Sequence, residues 1–386
     1  MNYTILTGDN RVTLKTLADN SIDAIITDPP YGIDFLGKSW DANTGAVETY
    51  QECLRVLKPG GHILAFSAAR TYHHLAVTLE QAGFEIRDQI MWIYSSGFPK
   101  AQAVQGFDGW KTALKPAHEP IALARKPIKT STKTNMEKWA VGALNIDATR
   151  VPYADAKDIE TYLNNKKGPM ERSTAVDGEG IGMFEGKVGY KTIKREVSAE
   201  EDLPEQGRFP SNVIGEIAEP YQKYFYCPKV SRKERHIGHT LPEAEPLNSP
   251  DQVRNHPLWD PSIGTNAHRL KEKIRKSLAP TGHIKGPYDE NGNRLAVTLD
   301  NANLPGNNHP TVKPIALMKY LIKLITPPGG TVLDPFNGSG STGCAAVELG
   351  HTYIGCELDP KYVEIARKRI EAWYEATRDP AKDIFE

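Results

Sequence analysis

The residues that most clearly suit a binding or catalytic site form one short run at positions 28–31. They are Asp28, Pro29, Pro30 and Tyr31. Two successive prolines fix the backbone and leave carbonyl oxygens without competing amide donors. Asp28 can then accept one hydrogen of an exocyclic amine and a neighbouring carbonyl can accept the other, while Tyr31 stacks on the ring that carries the amine. A tight turn after a strand is the alternative interpretation, because Asp and Pro both favour turns.

A second group of residues has the layout of a nucleotide-cofactor site. Gly338, Gly340 and Gly343 satisfy the pattern G-x-G-x-x-G between a predicted strand and a predicted helix. Glu357 ends the next predicted strand, 17 residues after Gly340, at the place where an acid binds ribose hydroxyls. Asp334 ends the preceding strand, and a carboxylate there repels a pyrophosphate but can pair with an ammonium group. S-adenosylmethionine, which has an ammonium group and a ribose but no phosphate, therefore fits this pattern better than NAD.

Strands and helices alternate at both ends of the chain, which is typical of a parallel sheet flanked by helices. The predicted elements are strands at 3–6, 22–27, 62–66, 331–333 and 352–356 and helices at 49–57, 72–82, 315–325, 341–349 and 362–376. The middle of the chain is rich in Gly, Pro, Asn and charged residues and breaks this alternation. We therefore expect one α/β sheet built from residues 1–100 and 306–386, with residues 101–305 as an inserted region.

Composition and charge exclude several classes of protein. With 386 residues, 39% hydrophobic and 25% charged, the chain is long enough for a sizeable core and too apolar for wholesale disorder. Its 47 basic and 48 acidic residues give a net charge of -1, which excludes a uniformly basic coat but allows local basic clusters. Four cysteines without a C-x-x-C pair argue against a disulfide scaffold and a zinc site, so no metal is expected. The lack of an apolar leader and of a long apolar run predicts a cytoplasmic protein without a membrane partner.

Taken together, the motifs resemble those of the β-class DNA amino-methyltransferases. Residues 28–31 match the catalytic motif D-P-P-Y, and residues 334–340 match the cofactor motif D-P-F-x-G-x-G. Residues 308–314 match the segment H-P-T-x-K-P of that family. The order, with the catalytic motif first and the cofactor motif last, is that of the β class. The resemblance implies a Rossmann-like, S-adenosylmethionine-dependent methyltransferase sheet with a catalytic half, a large inserted target-recognition region and a cofactor-binding half.

The resemblance also implies roles for individual residues. Asp9 would contact the adenine of the cofactor, and a helix N-cap is a second role that does not exclude the first. Glu357 would bind the ribose hydroxyls, and Phe336 would lie near the cofactor. Lys313 and Pro314 would help to close the pocket. The implied cofactor-binding residues are Asp9, Lys313, Pro314, Asp334, Phe336, Gly338, Gly340, Thr342 and Glu357.

By the same resemblance, the reaction is methyl transfer from S-adenosylmethionine to the N6 amine of an adenine flipped out of double-stranded DNA. Cytosine N4 is the first alternative, since D-P-P-Y is the commoner form for adenine but not a strict rule. Methylation of protein glutamine or of RNA uses similar tetrapeptides, but the long insertion and the motif order count against it. An NAD-dependent oxidoreductase gives residues 28–31 no role, and methylation at cytosine C5 needs a Pro-Cys pair that this chain lacks.

A mixed aromatic and basic segment that starts at residue 109 is the candidate DNA contact. We expect it to lie beside the catalytic cleft and to bind backbone phosphates near the flipped base. An ordinary loop and strand with exposed lysines is the alternative. The candidate DNA-binding residues are Lys111, Lys115, His118, Arg125 and Lys126. The resemblance further implies a homodimer, a partner restriction endonuclease, and a bacterial cell or phage-infected host as the setting.

Overall fold

The computed structural model describes both ends of the chain and parts of its middle. The described residues are 1–33, 44–94, 101–166, 207–215, 232–239, 307, 309 and 312–378, with the backbones of 170–177, 188–195, 284–288 and 294–297. The strands are β1 (Tyr3–Thr7), β2 (Ile22–Thr27), β3 (Leu57–Phe66), β4 (Glu85–Ile93), β5 (His118–Arg125), β6 (Met170–Asp177), β7 (Val188–Arg195), β8 (Val213–Gly215), β9 (Ile284–Tyr288), β10 (Arg294–Val297), β11 (Thr331–Asp334) and β12 (Thr352–Glu357). The α-helices are α1 (Asn10–Thr13), α2 (Val47–Val56), α3 (Tyr72–Ala82), α4 (Thr132–Trp139), α5 (Ala156–Lys166), α6 (Arg232–His236), α7 (Ile315–Ile325), α8 (Ser341–Glu348) and α9 (Pro360–Arg378).

One eight-stranded sheet contains strands from both ends of the chain, in the order β1-β12-β11-β2-β3-β5-β4-β8. The two ends join where β11 pairs in parallel with β2, with Val332 opposite Ala24. The prediction that both ends build a single α/β sheet is therefore confirmed. Because β1, β12, β11, β2 and β3 run parallel, their carboxyl ends meet at one edge, which we call the C-terminal edge. The opposite edge is the N-terminal edge.

β5 departs from the predicted alternation of strands and helices. It runs antiparallel between β3 and β4, and β8 pairs with β4 from further along the chain. The sheet therefore extends beyond the predicted boundary at residue 100 and includes strands that were expected to lie in the insertion. An antiparallel neighbour needs no crossover helix, so the alternation that predicted β1, β2, β3, β11 and β12 gave no sign of β5. Parts of the predicted insertion, including residues 240–283, lie outside the described residues.

β3 begins earlier than the sequence indicates. The run Lys-Pro-Gly-Gly at 58–61 predicts a break before a strand at 62–66, whereas β3 starts at Leu57. Gly60 has a φ of 81°, a left-handed value that favours glycine. Asn135 of α4 donates a hydrogen bond to the Pro59 carbonyl (2.8 Å), which holds this irregular start in the sheet. The same contact places α4 at the N-terminal edge.

Helices cover both faces of the sheet because successive residues of its central strands are apolar on opposite sides. Ile26 of β2 packs in the core layer that contains Leu321 of α7. Its neighbour Ile25 packs in the other layer, with Cys53 of α2 and Leu75 of α3. This burial on both faces fixes the strands and therefore the residues that follow them at the C-terminal edge. Within the described parts of the chain, no helix is both long and apolar enough to cross a membrane.

Candidate active site

Asp28 lies directly after β2, at the C-terminal edge of the sheet. The Tyr31 hydroxyl donates a hydrogen bond to Asp28 Oδ1 (2.7 Å), and Lys313 Nζ donates one to Asp28 Oδ2 (2.8 Å). Between the two motif residues, Pro29 is buried and Pro30 is half-buried. Both carboxylate oxygens of Asp28 therefore already have a donor within the protein.

Glu119, the second residue of β5, brings another carboxylate to the same place. Its Oε2 lies 2.9 Å from the Tyr31 hydroxyl and 3.2 Å from Lys313 Nζ. The Tyr94 hydroxyl, just after β4, lies 3.5 Å from Glu119 Oε1. We call Asp28, Tyr31, Glu119 and Lys313 the carboxylate–lysine cluster, in which two carboxylates share one ammonium and one hydroxyl.

The charges in the carboxylate–lysine cluster follow from its burial. Only 7% of the Lys313 side chain is exposed. Burial alone would lower the pKa of this ammonium, but the carboxylates of Asp28 and Glu119 outweigh burial and raise the pKa above its ordinary value. Burial, followed by the same two carboxylates, raises the pKa of Tyr31 well above its ordinary value. At neutral pH, Lys313 is therefore charged and Tyr31 is neutral.

The start of α7 delivers Lys313 to the cluster. Pro314 is the N-cap residue of α7, and its carbonyl accepts a hydrogen bond from the Met318 amide (3.1 Å). The Lys313 ammonium lies 4.9 Å from the centre of the Phe66 ring. The resemblance assigns this lysine to the cofactor pocket, whereas the structure brings its ammonium to Asp28. Residues 308, 310 and 311 of the same matched segment lie outside the described residues.

Asp334 ends β11 and is buried, with 2% of its surface exposed. Its Oδ1 accepts hydrogen bonds from the Thr27 hydroxyl (2.7 Å) and the Phe336 amide (3.1 Å), and its Oδ2 accepts one from the Thr342 hydroxyl (2.7 Å). Burial raises the pKa of Asp334 to about 6, against the opposing effect of these hydrogen bonds. Both of its oxygens have donors inside the protein, and the pairing of this carboxylate with a ligand ammonium stays a prediction. Because Thr27 precedes Asp28, the hydrogen bond from Thr27 to Asp334 also connects the glycine turn after β11, which we call the cofactor turn, to the turn at residues 28–31, which we call the catalytic turn.

The turn between β11 and α8 needs glycine at two positions. Gly338 and Gly340 have φ values of 50° and 78°, in the left-handed region. The Gly338 amide donates a hydrogen bond to Glu357 Oε2 (2.8 Å), and burial raises the pKa of Glu357 to about 7. A half-buried acid at the end of β12, beside a glycine turn that starts a helix, has the acceptor chemistry for ribose hydroxyls. These residues therefore fit S-adenosylmethionine, the cofactor inferred from the sequence.

Asp9 and Phe336 lie close to this turn. Asp9 accepts a hydrogen bond from the Arg11 amide (2.9 Å) and caps α1, which confirms its N-cap role. Its contact with a cofactor adenine stays a prediction. Thr7 is paired with Glu357 across β1 and β12, so Asp9 and Glu357 leave the sheet at neighbouring positions. Phe336 is half-buried in the turn after β11.

The segment between β4 and β5 leaves and rejoins the sheet at the C-terminal edge. The Tyr94 amide donates a hydrogen bond to the Ala117 carbonyl (3.0 Å), and His118 pairs with Ile93 at the end of β4. Lys111 and Lys115 lie in this segment and are exposed. His118 is therefore on the same edge as Asp28, and Lys111 and Lys115 lie in a connection that ends at this edge.

Arg125 and Lys126 lie at the opposite end of β5, so the prediction that they border the catalytic cleft needs correction. Arg125 pairs with His62 near the start of β3 and forms an ion pair with Glu85 (2.7 Å). Lys126 Nζ donates hydrogen bonds to Asn20 Oδ1 (2.8 Å) and to two backbone carbonyls. Both side chains fasten the N-terminal edge of the sheet, and we do not retain them as DNA contacts.

Glu119 is the site residue that the sequence analysis missed. A signal was present, because Glu119 is a charged residue directly before Pro120 and the apolar run at 121–124 of β5. A charged side chain beside a buried strand usually has a partner. The partners, however, come from turns that are far away in sequence. Among the described residues, no group of three or more His, Cys, Asp or Glu side chains is placed to hold a metal ion.

Comparison with known families gives a match over most of the chain. A family profile described as DNA methylase, for N6 and N4 methyltransferases, matches residues 22–368. A type II methyltransferase of Streptococcus pneumoniae, M2.DpnII, is 48% identical over 64 residues, which are 17% of this chain and 24% of the relative. The type II methyltransferase M.HinfI of Haemophilus influenzae is 22% identical over 388 residues, covering 95% of this chain and 68% of the relative. The chain thus spans about a quarter of the Streptococcus relative (24%) and about two thirds of the Haemophilus one (68%).

Two solved structures align with most of this chain at low sequence identity. The PvuII DNA methyltransferase, described as cytosine-N4-specific, has a TM-score of 0.46 and 14% identity, covering 98% of this chain and 93% of that one. The complex of M1.HpyAVI with S-adenosylmethionine has a TM-score of 0.40 and 17% identity, covering 95% of this chain and 99% of that one.

Proposed function

The chain belongs to the DNA methylase family of N6 and N4 methyltransferases, and from that premise we propose that it transfers a methyl group from S-adenosylmethionine to the N6 amine of an adenine in double-stranded DNA. The observation that carries this proposal is the hydrogen bond from Thr27 to Asp334 (2.7 Å). It puts the turn after β2 and the glycine turn after β11 side by side. A methyl donor held by the glycine turn would therefore lie next to an amine held by Asp28.

Asp28 is the acceptor for the target amine. The lone pair of an aromatic amine is delocalised into the ring, so the amine is a weak nucleophile. If Asp28 accepts one amine hydrogen and a carbonyl beside Pro29 or Pro30 accepts the other, the nitrogen becomes more tetrahedral and its lone pair more localised. When bound, S-adenosylmethionine supplies a methyl group that its sulfonium already activates. Alignment then matters more than acid–base strength, and the amine proton passes to Asp28 or to water.

Tyr31 is the residue that stacks on the target base. The reacting amine lies inside the duplex, so the base must be flipped out, which costs a few kcal/mol. Stacking on an aromatic side chain is worth about 1–3 kcal/mol per base and offsets that cost. The Tyr31 hydroxyl lies within hydrogen-bond distance of both Asp28 and Glu119, which holds the ring beside the acceptor.

The cofactor would be held by residues at the ends of β12 and β11. Glu357 would accept hydrogen bonds from the ribose hydroxyls, and the turn at Gly338 and Gly340 leaves room for close approach to the backbone. Asp334 also shapes this turn, through the hydrogen bond that it accepts from Thr27. The preference for adenine over cytosine depends on the D-P-P-Y form of residues 28–31. A homodimer and a partner endonuclease stay predictions.

Product analysis tests the proposal. The protein is incubated with labelled S-adenosylmethionine and mixed-sequence duplex DNA, and the DNA is digested to nucleosides. Label in N6-methyladenine is the expected result. Label in N4-methylcytosine would reassign the amine within the same family, and the absence of label from DNA would overturn the proposal.

A further inference from the structure

Asp28 and Glu119 share two donors. The Tyr31 hydroxyl lies 2.7 Å from Asp28 Oδ1 and 2.9 Å from Glu119 Oε2, yet it has a single hydrogen to donate. Lys313 Nζ lies 2.8 Å from Asp28 Oδ2 and 3.2 Å from Glu119 Oε2. The hydroxyl can therefore donate to only one carboxylate at a time, whereas the ammonium, which has three hydrogens, contacts both carboxylates and also lies 2.9 Å from the Tyr31 oxygen.

The proposed reaction needs Asp28 in a different state. To accept a hydrogen from the target amine, Asp28 must direct a lone pair at the amine, and Tyr31 and Lys313 already take one lone pair on each of its oxygens. A released hydroxyl or ammonium inside a buried cluster needs another acceptor, because an unpaired buried polar group is expensive.

We propose that Glu119 is a positioning residue that takes over the Tyr31 hydroxyl and the Lys313 ammonium when the target amine binds Asp28. This inference rests on the proposed function, since it describes how the amine of that reaction gains access to its acceptor. Glu119 acts on Asp28 through the two shared donors and does not itself contact the base.

The fold gives Glu119 a fixed position for this role. Glu119 is paired with Trp92 inside the sheet, so its backbone is held by β4. The Tyr94 hydroxyl is within 3.5 Å of the other carboxylate oxygen, Oε1, and leaves Oε2 to Tyr31 and Lys313. Asp28, in contrast, stands in a turn. Glu119, which would receive the two donors, is thus in the sheet, and Asp28, which would bind the amine, is in a turn.

The first test replaces Glu119 by its neutral isostere. In Glu119→Gln, Asp28 is the one anionic partner that the described residues leave to the ammonium, so the ammonium stays on Asp28 and hinders the approach of the amine. We expect kcat for DNA methylation to fall roughly 10- to 100-fold, as for small misplacements of a reacting group, with an unchanged dissociation constant for S-adenosylmethionine. The matched control is Glu85→Gln, which removes a carboxylate from β4 at the opposite edge, where it pairs with Arg125. A wild-type kcat in Glu119→Gln would overturn the inference.

The pH profile gives a readout that a purely structural role would not change. In the part of the chain that the structure describes, the titratable groups that face Lys313 are Asp28 and Tyr31 after β2 and Glu119 on β5, with Tyr94 behind Glu119. The two carboxylates raise the pKa of Lys313, so the loss of one lowers it. The charged form is then lost at a lower pH. Because the ammonium on Asp28 hinders the amine in Glu119→Gln, the kcat deficit of this variant should shrink as the pH rises, and Glu85→Gln should show no such change. A kcat deficit that stays the same at all pH values contradicts the inference.

A double-mutant cycle shows whether Glu119 acts through the shared hydroxyl. In a Tyr31→Phe background this donor is absent, so Glu119→Gln should lower kcat by a clearly smaller factor than in the wild type. Equal factors in both backgrounds would mean that Glu119 acts independently of Tyr31, which would overturn the inference.

A variant with a shorter carboxylate keeps the inference testable if the glutamine variant misfolds. Glu119→Asp keeps the charge, and we expect its kcat to lie between those of the wild type and Glu119→Gln; a kcat at or below that of Glu119→Gln contradicts the inference. Failure of the proposed function would look different, because the wild-type protein itself would then leave no label in DNA.

Discussion

The environment of Glu357 favours the protonated form of its carboxylate, whereas the proposed binding of ribose hydroxyls favours the ionised form. Burial raises its pKa to about 7, although the amides of Gly338 and Asp359 both donate hydrogen bonds to it. A ribose hydroxyl donates best to the ionised form, which accepts at both oxygens. The affinity for the cofactor should therefore depend on pH near neutrality.

The predicted pH dependence has a definite sign. Because the ionised carboxylate is the acceptor, the affinity for S-adenosylmethionine should rise as the pH increases through about 7 and then level off. Well below that pH, the affinity can change by at most about tenfold per pH unit for a single proton. Calorimetric titration at several pH values measures the change. Glu357→Gln should bind more weakly and without this dependence, whereas Glu348→Gln on α8 should keep it. A flat wild-type profile between about pH 6 and 8 would contradict the assignment of Glu357.

At the scale of elements, Asp334 joins β11, β2 and α8 at one point. The hydroxyls of Thr27 and Thr342 and the amide of Phe336 all donate to this buried carboxylate. Removal of one donor leaves a buried acceptor less well satisfied, at a cost of about 1–3 kcal/mol. The catalytic and cofactor turns would also lose their shared contact.

The nearly isosteric substitution Thr27→Val tests the hydrogen bond between Thr27 and Asp334. We expect the free energy of unfolding to fall by about 1–3 kcal/mol, with a loss of methylation greater than the loss of cofactor binding, because Thr27 adjoins Asp28. Thr326→Val is a matched control: Thr326 is also buried, and its hydroxyl has no hydrogen-bond partner among the described residues. Chemical denaturation and kcat measure both effects. Equal stability changes in the two variants would show that the Asp334 contact contributes nothing.

Local patterns predicted the elements of the site better than its partners. Asp28 and Asp334 each follow an apolar strand, so their place at one edge of the sheet was predictable from alternation alone. The sequence could not show that Lys313 reaches Asp28 or that Glu119 stands beside both. These contacts depend on the register of β5. Because β5 is antiparallel and needs no crossover helix, the alternation of strands and helices did not predict it.

On the scale of the whole molecule, the two ends of the sheet have different tasks. The parallel strands bring the carboxylate–lysine cluster and the glycine turn to the C-terminal edge. A strand advances about 3.3 Å per residue, so the length of β5 from His118 to Arg125 carries the chain across the sheet to the N-terminal edge. A basic segment read as one DNA contact is therefore divided between two edges, which composition alone cannot reveal.

This division predicts unequal effects of basic residues on DNA binding. In Lys111→Ala/Lys115→Ala, we expect the slope of log affinity against log salt concentration to fall in magnitude by about 2, roughly one unit per phosphate contact. The control Lys133→Ala/Lys138→Ala removes two exposed lysines from α4, at the N-terminal edge, and should leave the slope unchanged. Equal slopes in all three proteins would contradict the placement of DNA at the C-terminal edge.

The central claim is that Asp28 holds a DNA base amine for methylation, and one comparison tests it most directly. The wild type and Asp28→Asn are incubated with labelled S-adenosylmethionine and duplex DNA, and the label in N6-methyladenine is measured beside the cofactor dissociation constant. We predict label with the wild type, a loss of at least about 100-fold in Asp28→Asn, as for removal of a key electrostatic group, and equal cofactor binding. Undiminished labelling by Asp28→Asn, or no label with either protein, would contradict the claim.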